Sequence, residues 1–351
     1  MSSIEFANSF NREERSANTL IAGGEGLVED NSYDGGFSDT TTASFSADFA
    51  IGAVDDDGYT ASVDGVKSVY GFQIDLNTSF TGEDSLDISI DAGNGGNGLS
   101  EFDLNDTSTT TDDVLAVDGV SYTFPVGAAT LFVGDNTDGS LLYSTACVYG
   151  GPSNTLDDCG NASSALGGGQ GTAAGASFEL GNGFTVALGY TGDGTTSGLM
   201  TSEGLDAYGG QLSYAADTYG ASLTYALIEG ASSTDTTFIA ANGYWTPSET
   251  GSVPSVSVGY EVGDPENTAT DTTQWFVGLQ WDEIGPGSLG AAVGTAGAFA
   301  ENATELLMYE AFYSYEVNDG MTITPLVYIK ETSEAGVDDE TGVMVKTSFS
   351  F

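Results

Sequence analysis

Of 351 residues, 52 are acidic and 5 basic, a formal charge of -47 that would repel a phosphate backbone over any surface the chain could offer, so nucleic acid is excluded as a partner. Histidine is absent, which removes Ser-His and Cys-His nucleophiles and His-supported metal catalysis, and the chain is read as a non-enzyme. No stretch approaches the roughly 20 consecutive apolar residues of a membrane-spanning helix, so a membrane location requires a barrel. Paired carboxylates, the remaining route to glycoside chemistry, carry almost no information in a chain this acidic. Solvated faces or salty surroundings, where screening shortens like-charge repulsion to about 10 Å or less, account for the acid equally well.

Residues 1–36 hold Arg12, Arg15 and a Gly-Gly-Glu-Gly turn and show no sustained period. They are read as a leader segment with room for a short helix, and Met1 to Phe6 lacks the basic and apolar regions of a signal peptide. From Thr41 the pattern becomes that of a strand: Ala43, Phe45, Ala47, Phe49 and Ile51 alternate with Ser44, Ser46, Asp48 and Ala50. A second strand sets Tyr70, Phe72, Ile74, Leu76 and Phe80 against Gln73, Asp75, Asn77 and Ser79. Thr81 to Asp84 turns it back into a third, with Leu86, Ile88 and Ile90 against Asp87, Ser89 and Asp91. With Phe80 facing Leu86, Asp75 falls opposite Asp91, a like-charge pair that a packed core would not tolerate and a flooded lumen would.

Strands follow near 118–125, 128–133, 172–180, 183–191, 205–216, 218–228, 236–246, 252–262, 271–282, 288–295, 305–317, 321–330 and 341–351, which with the first three make sixteen. Their connections alternate in length, with short ones at Pro125 to Gly127, Gly181 to Gly183, Ala216 to Thr218 and Asn318 to Gly320. Short periplasmic turns and longer outer loops are the rule of outer-membrane barrels, and an even strand number puts both ends of the barrel chain on the periplasmic side. Tyr208, Tyr214, Tyr219, Tyr225, Trp275, Trp281, Tyr309, Tyr313 and Tyr315 fall near strand ends, as aromatic girdles do.

Cys147 and Cys159 lie in the longest connection, Gly134 to Gly171, which is rich in Gly, Ser and Asp. Their surroundings suit an oxidised compartment better than a metal site, and a bond between them is expected to stiffen the loop tip that carries Asp157 and Asp158. The final stretch, Gly342 to Phe351, sets Val343, Val345, Thr347, Phe349 and Phe351 on one face and Met344, Lys346, Ser348 and Ser350 on the other. Phe349 and Phe351 are the expected barrel-closing signal, aromatics at the membrane interface of a closing strand.

The same alternation points Asp48, Asp75, Asp87, Asp91, Glu179, Glu261 and Glu310 inward, against Lys330 and Lys346, so the expected pore prefers cations. The acid runs at 55–57, 112–113, 157–158 and 338–340 fall in long connections, where divalent cations can bridge them. Asp135 to Gly139 resembles half a calcium loop without the distal bidentate acid, and no defined metal site and no cofactor are expected.

Several stretches carry a family resemblance: Phe-Ser-Asp-Thr-Thr-Thr-Ala-Ser-Phe from Phe37, Asn77 to Leu86, Ala92 to Gly96, Ser121 to Pro125 and Ile323 to Ile329. In these the chain, from Phe37 to Phe351, resembles the porins of marine cyanobacteria that carry a surface-layer-homology domain, distant relatives of carbohydrate-selective (OprB-like) porins. The peptidoglycan-binding domain and coiled coil that precede the barrel in that family are not visible in residues 1–36. The resemblance implies a homotrimeric channel in the lipid of the outer membrane, with the loop after the fifth strand folded inward, where Asp157 and Asp158 would narrow the pore. The reading is therefore an all-β transmembrane barrel for passive diffusion of small hydrophilic solutes and ions. The competing class is a structural or adhesive acidic surface protein; its solenoid form needs a fixed repeat, and none is found.

Overall fold

The computed structural model describes residues 40–55, 65–95, 99, 101, 104, 113–161, 163–164, 166, 171–194, 198–201, 204–230, 235–249, 251–266, 270–333 and 337–351. The leader segment 1–36 and the acids Asp56, Asp57 and Asp112 lie outside the described residues. The strands are β1 (Thr41–Asp55), β2 (Lys67–Thr78), β3 (Ser85–Gly93), β4 (Ala116–Val126), β5 (Ala129–Thr137), β6 (Gly171–Gly181), β7 (Phe184–Gly192), β8 (Ala207–Ala215) and β9 (Tyr219–Ile228). They continue with β10 (Thr236–Trp245), β11 (Ser255–Pro265), β12 (Thr272–Trp281), β13 (Gly287–Thr295), β14 (Phe299–Ala300), β15 (Leu307–Asn318), β16 (Met321–Lys330) and β17 (Glu340–Ser350). Every pairing is antiparallel, strands pair in chain order around the wall, and β1 pairs with both β2 and β17, so the sheet closes. The two-residue β14 only flanks β12, while β13 pairs directly with β15, leaving sixteen strands around the wall.

Closure turns the period-2 pattern into an outside and an inside. Outward positions stay exposed although they are large and apolar: Leu188 54%, Leu223 55%, Ile239 52% and Val343 58%. Inward positions one residue away are covered, among them Ala187, Thr224, Ala240 and Met344. A soluble domain reverses this arrangement, and a contiguous apolar belt around a barrel is what lipid tails solvate. The aromatics named above share the outward parity, and the rings of Phe184 and Tyr214 (4.8 Å) and of Tyr214 and Tyr219 (5.8 Å) form part of that belt.

The seam between β1 and β17 runs from Ser46↔Ser350 to Asp55↔Thr341. Phe45 and Phe351 exchange backbone hydrogen bonds at 2.9 and 3.0 Å and stack their rings 5.7 Å apart. Phe49 meets Phe349 edge-on at 6.1 Å. The last two aromatics thus form the outer surface of the joint.

One register differs from the expected one. In the β2–β3 hairpin Thr78 faces Leu86, so Asp91 stands opposite Gln73 and Asp75 opposite Ser89; the Asp75–Asp91 pair does not form. The cause is Asp84, whose Oδ1 accepts from Ser79 Oγ, Thr81 Oγ1 and the backbone N–H groups of Phe80 and Thr81. Those bonds wind residues 79–84 into a tight loop and stop the ladder at Thr78, before Phe80 can join it.

The lumen is not wholly flooded either. At the end with the longer connections, Leu99 and Leu104 from the β3–β4 connection and Tyr149 and Leu156 from the β5–β6 connection are buried. They pack with inward side chains of the wall, including Ala50, Val69, Phe276, Met308, Phe312, Leu326, Tyr328 and Met344. The barrel therefore holds an apolar core built from loops.

Candidate functional site

The β5–β6 connection crosses the lumen and lies along the inner wall from β7 to β15. Its backbone donates to wall side chains in turn: Gly139 N to Thr191 Oγ1 (2.6 Å), Ser144 N to Gln211 Oε1 (2.6 Å), Val148 N to Ser257 Oγ (3.0 Å), Gly150 N to Gln280 Oε1 (2.9 Å) and Ser164 N to Glu261 Oε2 (2.6 Å). Asn242 Nδ2 donates to Cys159 O at 2.9 Å. Buried peptide groups need such partners, and these polar inward residues on five different strands supply them. Tyr149 anchors the middle of the loop. Its hydroxyl donates to Glu310 Oε1 at 2.5 Å, and its ring packs on Phe276 (5.2 Å) and Phe312 (5.8 Å). Burial, and then the charge of Glu310, pushes the Tyr149 phenol well above its ordinary range, so it stays a donor.

The loop lies close because the wall carries glycine at two of the positions beneath it, Gly259 and Gly278. A Cβ on Gly259 would overlap the carbonyl oxygen of Cys159, and one on Gly278 would come within 2.7 Å of the Tyr149 ring. Cys147 and Cys159 are joined by a disulfide, Cα to Cα 6.5 Å, which closes the segment that includes Tyr149 and Asp157. Asp157 and Asp158, both within that segment, are exposed, and Asp158 borders a cavity of about 200 Å³ shared with Asn154, Thr155, Gln274 and Phe276.

A second connection reinforces the first. Glu101, in the β3–β4 connection, accepts from Asn154 N through its backbone oxygen (2.9 Å) and from Thr155 N and Oγ1 through its carboxylate (3.3 and 3.0 Å). Lys330 Nζ on β16 donates to Glu101 Oε1 at 2.7 Å and to Thr155 Oγ1 at 3.0 Å.

The inward acids accordingly fall into two groups. Asp48, Asp75 and Asp87 stand half-exposed on the wall β1–β3, which neither loop covers fully. Asp75 accepts from Gln73 and Ser89, and Asp87 from Asn77 and Ser85, bonds that fix each carboxylate against the wall. Glu179 is exposed near the turn between β6 and β7. Glu261, Glu310 and Asp91 face inward but are 2%, 5% and 4% exposed, so they do not line an open pore as expected from alternation alone. Glu261 and Glu310 are seats for the loop; Asp91 lies beneath the end of the ladder. Lys346 is half-buried and stands opposite Ala50 across the seam, while Asp48 stands opposite Ser348. Among the described residues no group of three ligating side chains that would hold a metal ion occurs.

No protein-family model matches the sequence, and none of the curated proteins is detectably similar to it. Solved structures are similar in shape. OprB of Pseudomonas putida, solved at high pH, matches with a TM-score of 0.64 over 89% of this chain and 94% of that one, at 11% identity. An anion-selective porin from Comamonas acidovorans matches with 0.61 over 89% and 99%, at 13% identity. The outer-membrane protein OmpT of Vibrio cholerae gives 0.59 over 90% and 99%, at 11% identity. The fold is a porin fold.

Within this porin fold, alternation alone did not mark Glu101, Tyr149, Asn242, Ser257 or Gly259 as functional. A signal existed for the wall residues: inward glycines and hydroxyls at Ser257, Gly259 and Gly278 interrupt the bulkier pattern where a loop must lie flat. Glu101 and Tyr149 sit in connections without a period, and nothing local distinguishes them.

Proposed function

We propose that the chain is an outer-membrane channel for passive diffusion of small hydrophilic solutes and ions, with a preference for cations. The observation that carries this reading is the wall β1–β3, where Asp48, Asp75 and Asp87 face the lumen half-exposed while the outside of the barrel is apolar. Carboxylates beside a water-filled path raise the local cation concentration and repel anions. The porin fold of the neighbours supports a channel; the Comamonas protein is named as anion-selective, so ion preference is a matter of side chains and not of fold. Kinship with the cyanobacterial porins rests on the motifs from Phe37, Asn77, Ala92, Ser121 and Ile323.

The test is the reversal potential of the purified protein in a planar bilayer under a potassium chloride gradient. A value of the cation-selective sign is expected, and the opposite sign overturns the preference. A second reading, a non-conducting structural or adhesive surface protein, is favoured by the apolar core that Leu99, Leu104, Tyr149 and Leu156 build inside the barrel. Absence of unitary current steps from correctly folded protein would select it.

A further inference from the structure

Lys330 on the inner wall forms an ion pair, and its partner comes from a loop. We propose that Glu101 is a selectivity-determining residue: it neutralises Lys330 on the inner wall and pins the constricting β5–β6 loop to β16 through Asn154 and Thr155. This rests on the channel reading above.

The geometry gives Glu101 both roles. Its backbone oxygen and both carboxylate oxygens bind Asn154 and Thr155, so it is fixed to the loop at three points. The buried Leu99 and Leu104 on either side of it anchor its own connection in the apolar core. The pair is asymmetric in its access to water: the Lys330 side chain is 29% exposed and that of Glu101 6%. The cation therefore reaches the lumen and the anion lies behind it. Two further carboxylates on the wall each accept from a phenol. Glu310 takes the Tyr149 hydroxyl, and Glu340, the cross-strand partner of Lys330, takes the Tyr328 hydroxyl at 2.6 Å. The described residues contain just three cations, Lys67, Lys330 and Lys346, so the state of one of them weighs heavily on the field in the lumen.

Glu101→Gln separates charge from position. The amide oxygen can still accept from Lys330 and Thr155 Oγ1 and the backbone oxygen from Asn154 N, so the loop keeps two of its three attachments and loses the one from Thr155 N, while Lys330 loses its ion-pair partner. In bilayers at low salt, E101Q is expected to lower the cation-to-anion permeability ratio roughly two- to fivefold, the effect of one unit charge several ångströms from the ion path. Its unitary conductance should stay close to that of the wild type. Glu101→Ala is expected to lower the ratio similarly and to make the current noisier, because the loop loses its pin. The double variant E101Q/K330M should return the ratio to the wild-type value. An unchanged ratio in E101Q overturns the proposal while leaving the channel reading intact; failure of the wild type to conduct removes both. Should E101Q not reach the heat-resistant barrel form on a gel, the double variant carries the test, and a ratio different from the wild type's overturns the proposal.

Discussion

The walls β1–β3 and β10–β16 are built from the same alternation, yet their inward acids have opposite roles. Asp75 and Asp87 keep contact with solvent, each braced by neighbouring amide and hydroxyl groups. Glu261 and Glu310 lie beneath the β5–β6 loop and receive Ser164 N and the Tyr149 hydroxyl. A strand pattern decides which way a carboxylate points; what lies over it decides whether it meets an ion or holds a loop. The comparison can be broken at several points, with effects of different size.

The largest effect removes the barrel that both walls share. Deleting Phe349 to Phe351 takes away the stacked and edge-on rings at the seam and the paired hydrogen bonds to Phe45, leaving β1 with an open edge in lipid. Loss of the heat-resistant form on a gel is expected, and normal mobility of the truncated chain would refute the role of the seam. Next, Cys147→Ser with Cys159→Ser should destabilise the loop by roughly 3 kcal/mol on the chain-entropy estimate, read as increased protease sensitivity between β5 and β6. Two free thiols in unreduced, unfolded wild type would exclude the bond altogether.

Gly259→Val acts on the covered wall alone. It forces Cys159 away from its seat, with an expected cost of about 1–3 kcal/mol and a larger unitary conductance as the loop lifts. Unchanged conductance and thermal stability would show that the loop does not rest there. On the open wall, Asp75→Asn with Asp87→Asn should lower the cation-to-anion ratio a few-fold, whereas Asp91→Asn should scarcely move it, since Asp91 is buried. Equal effects of the two substitutions would erase the distinction between open and covered acids.

The smallest effect sharpens the hairpin of the open wall. The Tyr122 hydroxyl, and then the Thr81 and Ser79 donors, hold the Asp84 carboxyl well below its usual range. A depressed folded value contributes stability above the ordinary carboxylate pKa, and that stability is lost only as pH falls through the depressed value. Asp84→Asn is therefore expected to melt at a lower temperature than the wild type at neutral pH, with the two curves converging in strong acid. A constant difference at every pH would remove the carboxylate from the explanation.

The barrel itself was legible in the sequence because strand alternation is local: Ala43 to Ile51 and Val343 to Phe351 each announce their two faces without reference to the rest of the chain. The β2–β3 register was not, because Asp84 gathers its donors only once the turn has formed. The covered wall was hidden for a different reason. Leu99, Glu101, Tyr149 and Leu156 act across long stretches of chain, and aperiodic segments reveal nothing of where they will dock. The inward Ser257, Gly259 and Gly278 were visible as small residues, but their purpose appears only when the loop is laid on them.

The joint between β1 and β17 also governs the order of assembly. β1 is among the earliest strands to be synthesised, and its second ladder cannot form until β17 exists, so throughout synthesis its backbone donors and acceptors beside Phe45 and Phe49 wait without a mate. Such a distant pairing is slow, and a waiting edge flanked by phenylalanines invites pairing with another chain. Until the final strand arrives, that edge is the part of the wall whose ladder stays open longest.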